Sequence, residues 1–148
     1  MIASILFVII GFLFAFGIFK LVQIMADKAN ENKYIHIFNE QLNEQKERLP
    51  SNDAKVCLDS MKLIMNSEAT TFVLGKFGND RNNRSGQDMI LEIGLFMNQC
   101  IATLPKEAAL DVLTFINQNN NFIRISRLEP EFIQDLEYRL KLIGRKPE

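Results

Sequence analysis

Tryptophan is absent from this 148-residue chain, which holds only two tyrosines, one histidine and two cysteines. Each scarcity excludes something. Without Trp, and with so few Tyr, no aromatic platform for stacking bases or sugars is visible. A single histidine is too few for a di-iron carboxylate bundle, which needs two Glu-x-x-His motifs. Two cysteines with no CxxC pair exclude a disulfide-dense mini-domain, a thioredoxin-like motif and a four-cysteine zinc site. Neither sign of charge dominates. The 17 basic residues against 18 acidic ones exclude a strongly basic nucleic-acid binder. No GxSxG, P-loop, GxGxxG, HExxH or EF-hand pattern occurs. Gly75-Lys76-Phe77-Gly78 has glycines and a lysine but lacks the GK[ST] element of a phosphate loop.

What is present is unevenly spread. The mean hydropathy of −0.01 averages two different segments. Lys20 is the one charged side chain in the first 25 residues, of which 20 are apolar. Residues 26–148 then carry 16 basic against 18 acidic side chains, so the body is mildly acidic. The chain therefore reads as two parts, a 1–25 anchor and a 26–148 soluble helical domain.

Ile2 to Phe19 is an uncharged run of 18 residues, and apolar character resumes after Lys20 as far as Met25. As helix, 18 residues span about 27 Å and 24 span about 36 Å, against a hydrocarbon core of about 30 Å. The Leu, Ile, Phe and Val side chains of the run sum to roughly −4 to −8 kcal/mol on the insertion scale, an upper bound because that scale applies at the helix centre. The expectation is a single transmembrane helix, with Ile2, Phe12 and Phe19 in the bilayer and Lys20 reaching the headgroups. A cleaved signal peptide fits less well. No basic side chain precedes the run, the run is long, and cleavage after Ala26 would place Ile24 at −3. A buried core helix is the remaining alternative.

Lys20, Lys28 and Lys33 all follow the run, so the positive-inside rule places the body on the cytoplasmic side. Abundant Asn and Ile, with the small single-span plan, suggest a bacterial or phage source and a bacterial inner membrane. Gly11 and Ala15 form a small-xxx-small pair, a surface through which two such helices can approach.

In the body, Ile35, Phe38, Leu42 and Leu49 share one helical face, and Pro50 ends that helix. Ser51, Asn52 and Asp53 are cap candidates for a helix over 53–67 with a Cys57, Met61, Ile64 and Met65 stripe. The stretch EATTFVLGKFG is ambiguous between helix and strand. Asn79 to Gly86 is a loop, and Ser85 to Leu104 is the strongest helix. The latter's apolar face runs from Met89 and Ile90 to Ile101 and Leu104. Its Asp88, Glu92, Asn98 and Gln99 make it amphipathic rather than a second span. Pro105 opens a helix over 105–117 that buries Ala109, Val112, Leu113 and Ile116. NQNNN over 117–121 suits a helix end and a turn, and FIRIS over 122–126 reads as an extended linker. Glu129-Pro130-Glu131 starts a final helix that ends in basic residues near Gly144. The fold class is all-α: one transmembrane helix followed by a compact bundle of about five helices.

Chemistry-bearing residues are sparse. His36, Glu40 and Glu44 share a helix face, which reads as solvated charge rather than a metal site. Cys57 and Cys100 read as reduced core thiols in a cytoplasmic body, and as a disulfide if the body is exported. Asn83-Arg84-Ser85 matches a glycosylation pattern that is irrelevant on a cytoplasmic face. Arg81 and Arg84 are candidates for contact with anionic headgroups or a partner. No catalytic, cofactor-binding or metal residue is assigned, and no cofactor is expected. The reading is a non-enzymatic, membrane-anchored protein-interaction module: an assembly factor, a regulatory subunit or an immunity-type inhibitor. Its expected partners are the bilayer and a membrane-associated protein, with homo-oligomerisation through the anchor. A lipid-surface module is the alternative, followed by an enzyme with a dispersed site.

Overall fold

Every described side chain from Phe7 to Met25 is exposed, most of them apolar, and a helix of that kind must be covered by lipid or by protein. The computed structural model describes residues 2–49, 53–103, 109–128 and 138. Here the first helix, α1 (Ile2–Arg48), runs without a break for 47 residues, about 70 Å at 1.5 Å per residue. The polar segment 26–33 is a helical extension rather than a linker. Phe12, Leu13, Phe14 and Phe16 are all more than half exposed. An 18-residue window of α1 reaches a mean hydropathy of 2.1 with none of its residues buried. The helix is thus long and apolar enough to cross a membrane. That exposure does not fit a core helix of this chain.

The chain divides into two units, residues 1–34 and 35–148. In the second unit the character of α1 changes. Phe38, Leu42, Gln45 and Leu49 recur at steps of four, three and four, and all are 1% exposed. This is the narrow stripe of a helix packed on one side. Each buried Phe or Leu contributes about 1.5–3 kcal/mol relative to exposure.

The helices α2 (Ala54–Asn66), α3 (Glu68–Phe77), α4 (Arg84–Thr103), α5 (Ala109–Gln118) and α6 (Asn120–Leu128) complete an all-α architecture. No strand occurs among the described residues. The helices α2, α3 and α4 pack on one another. In turn, α6 lies against α2 and α3, and α5 against α6. Asp53 caps α2, its carboxylate accepting from Lys55 N–H at 2.9 Å. The stripe Cys57, Met61, Ile64, Met65 is fully buried. It meets the α4 face formed by Ile90, Ile93, Phe96, Met97, Cys100 and Ile101. Leu104 and Pro105 lie outside the described residues.

Ser67 resolves the ambiguous Thr-rich stretch. It is extended (φ −66°, ψ 136°), ending α2 and capping α3. Its hydroxyl accepts from Ala69 N–H at 3.1 Å and donates to Gln41 on α1 at 2.6 Å. With the cap in place, Ala69, Thr70, Val73, Leu74 and Phe77 fall on one buried face. Helical burial therefore overrides the strand preference of Thr and Val. Gly75 lies within α3.

A second expectation is corrected at 122–126, which is helix and not an extended linker. Asn119 is the single residue between α5 and α6. Its carbonyl side-chain oxygen accepts from the Asn121 and Phe122 N–H groups at 3.0 and 3.4 Å. This is an N-cap, and it starts the helix two residues before the apparent strand pattern. Phe122 and Ile125 are then buried while Ile123 stays 41% exposed. Phe122 also meets Phe115 of α5 edge-on, with centroids 5.8 Å apart. On α5, Val112 and Ile116 are buried as expected. The side chains of Ala109 and Leu113 lie outside the described residues, as does the final helix expected from Glu129.

Candidate functional site

The described side chains expected in a membrane anchor lie on the exposed surface of α1. Phe12 and Phe19 are 78% and 67% exposed. Lys20 Nζ sits 5.9 Å from the centroid of the Phe16 ring, one turn back on α1. Ile2 begins α1, but its side chain lies outside the described residues. Gly11 and Ala15 are exposed one turn apart, and a Cβ at Gly11 would meet nothing within 4 Å.

Arg81 lies in the connection from α3 to α4, and Arg84 follows it. Both are exposed, and neither makes an ion pair among the described residues. Arg84 is the first residue of α4, so the helix begins slightly earlier than its sequence implies. The connection is braced from inside. Gln87 Nε2 donates to the carbonyls of Phe77 and Asp80 at 2.8 and 3.0 Å. Asn83 accepts from Gly86 N–H at 3.0 Å, so the asparagine of the glycosylation pattern is an engaged N-cap. Lys76 lies in the last turn of α3, and Gly75-Lys76-Phe77-Gly78 forms a helix end rather than a phosphate loop.

His36 Nδ1 lies 3.2 Å from Glu40 Oε2, with both side chains about 70% exposed. Glu44 instead pairs with Arg48 at 2.6 Å. Among the described residues no group of three His, Cys, Asp or Glu is placed to hold a metal ion. Cys57 and Cys100 are reduced thiols, not joined in a disulfide, and completely buried. Burial pushes the Cys100 thiol up to about 12, and the Cys57 thiol adds to the shift. A thiol kept neutral in this way is a poor nucleophile.

Two features emerge that the sequence reading did not single out. The first is on α4, opposite its core face. Leu91 and Leu95 are each 58% exposed, one turn apart, and Ala102 is exposed on the same side. Their i, i+4 spacing was the available signal, hidden behind the stronger apolar stripe. The second is an amide-lined cleft of about 380 Å³ where the end of α2 meets α3 and the junction of α5 and α6. Asn121 frames its floor. It is buried, and its amide donates to the Met65 carbonyl at 2.7 Å and to the Thr71 hydroxyl at 2.9 Å. Asn119 Nδ2 donates to Asn66 Oδ1 at 2.7 Å across the cleft wall. The NQNNN run was visible as a helix end and turn. Its convergence with Asn66 and Arg124 required the fold. Comparison with protein-family models, curated proteins and solved structures finds no match to this chain.

Proposed function

We propose that this protein is a non-enzymatic, single-pass membrane-anchored interaction module whose helical body docks a membrane-associated protein. Two exposed apolar surfaces support the reading. One is the ring of side chains around the first part of α1, which lipid would cover. The other carries the interaction claim: Leu91 and Leu95 project from α4 away from its core face. Together with Ala102 on the same side they form a small apolar face that a partner would cover. An anchor raises the local concentration of such a face near a membrane partner without adding contacts. The flanking lysines orient the body toward the cytoplasm of a bacterial inner membrane. An assembly factor, a regulatory subunit and an immunity-type inhibitor all share this plan.

The test is in-membrane crosslinking and detergent pull-down of the full chain, compared with the Leu91→Glu/Leu95→Glu double variant. A stoichiometric partner recovered with the parent and lost with the folded variant supports the proposal. Equal recovery from both sinks it. Protease shaving of spheroplasts checks the orientation, since digestion of the body there would reverse it.

A second reading rests on Arg81 and Arg84, two exposed guanidinium groups at the α3–α4 connection. These would engage anionic headgroups. In nanodiscs, Arg81→Gln/Arg84→Gln should then change solvent accessibility of the connection with anionic lipid and not with zwitterionic lipid. Identical behaviour in both removes this reading.

A further inference from the structure

We infer that the amide-lined cleft at the α2–α3–α6 junction binds a carboxylate, the acid group of an acylated amino acid or of a peptide terminus. The inference is independent of the α4 docking face. The cleft's volume of about 380 Å³ falls within the range of small-ligand sites. Its lining includes Asn66, Gln118, Asn119, Asn120 and Arg124, and no carboxylate among the described residues. Arg124 is its one cation among the described residues. That side chain is exposed and makes no ion pair among the described residues. Its guanidinium lies along α3 at Gly75, where an added Cβ would come within 3.6 Å of Nη1.

The hydrogen-bonding capacity of the wall points the same way. Asn66 Oδ1 is occupied by Asn119 Nδ2. The Asn66 amino group therefore remains as a donor. The Asn119 oxygen is likewise taken, by two backbone N–H groups of α6. The N-terminus of α6 faces this wall, and with the Asn121 and Phe122 N–H groups held by Asn119 it contributes its dipole field rather than those donors. The site is donor-weighted and singly cationic. A planar guanidinium matches a carboxylate in a two-pronged pair. One cation neutralises one negative charge, so a dianionic phosphate fits less well. Gln118 and Asn120 supply amides able to pair with a neighbouring amide of the ligand, hence the acylated class. Asn121 serves as the positioning residue. It touches the Met65 carbonyl and Thr71, and so holds α6 against α2 and α3.

The probe is N-acetylalanine, titrated into full-length protein in detergent micelles with ¹⁵N-resolved spectra of the amide and guanidinium groups. N-acetylalanine amide and inorganic phosphate are the comparison arms, and an acetylated tripeptide with a free terminus separates peptide from free acid. The expected result is a saturable shift of Arg124 Nε–H and of the α6 first-turn amides. Loss of a charge-assisted bond in Arg124→Gln should weaken binding by about tenfold or more, while Lys55→Gln, at the opposite end of α2, leaves it unchanged. Tighter binding of the tripeptide assigns the peptide source, and equal binding assigns the free acid. The inference is overturned by shifts that do not saturate, by equal binding of the amide probe, by phosphate binding as tight as the carboxylate, or by an Arg124→Gln variant that binds like the parent.

Discussion

Gly86 offers a sharp test of the packing between α3 and α4. A Cβ there would fall 2.5 Å from Phe77 Cγ and 2.6 Å from both Phe77 Cβ and Cδ1. Ordinary carbon contacts lie at about 3.5–4.0 Å, so Gly86→Ala demands about 1 Å of movement. Phe77 has little room to give. Its side chain is 2% exposed, and two of the three close atoms sit at the base of the ring. Its carbonyl is held by Gln87, while Gly86 N–H is held by Asn83. Overpacking of this kind costs about 1–3 kcal/mol. Alanine returns at most about 1 kcal/mol of helix preference, and less in a first turn. The net expectation is a loss of about 1–2 kcal/mol, or roughly 3–10 °C in Tm for a domain of this size. Gly75→Ala makes the opposite forecast. Its Cβ would meet only Arg124 Nη1, at an ordinary 3.6 Å, so the exposed helical site should gain about 0.5–1 kcal/mol. Urea and thermal unfolding of both variants, followed by circular dichroism in one detergent, provide the readout. Gly86→Ala matching or exceeding the parent in stability would refute the close-approach argument. So would failure of a smaller residue at position 77 to relieve the loss.

Other expectations follow from single contacts. Asn121→Ala leaves the buried Met65 carbonyl without its donor and should cost about 1–3 kcal/mol in urea unfolding; a change below a few tenths counts against that role. The Cys100 thiol, raised from 9.0 to about 12 by burial, binds its proton more tightly when folded. Stability should therefore be insensitive to this group below pH 9 and fall as pH rises from 9 toward 12. Cys100→Ala should flatten that decline in pH-dependent unfolding. Both thiols should resist alkylation in the folded protein and react once it unfolds, as read by intact mass. The Lys46–Glu92 pair at 2.7 Å is half exposed, so Glu92→Gln should cost no more than about 1 kcal/mol and the difference should shrink in salt.

The legible parts of this protein are those where one residue class dominates a long window. Eighteen uncharged residues admit few structures, and their helix is determined before any tertiary contact forms. The same holds for the stripes at Cys57–Met65 and Met89–Ile101, whose 3.6-residue period is repeated often enough to name the buried face. Short segments were decided elsewhere. Thr70 to Val73 favours strand locally, and it is helix because Ser67 caps it and Val73, Leu74 and Phe77 have a core to enter. Phe122 to Ile125 alternates like a strand, yet Phe122 and Ile125 are buried at a helical spacing while Ile123 stays exposed. Over five residues the two periods cannot be told apart, and only the available partner surface chooses between them. The cleft follows the same logic. Asn66, Asn121 and Arg124 are far apart or unremarkable in sequence, and their convergence exists only once α6 closes on α2 and α3. Sequence alone therefore determined the apolar helix and the main buried faces, because those depend on local composition and period. Tertiary structure decided α3, α6 and the cleft, because burial energy from distant residues outweighed weak local preference there.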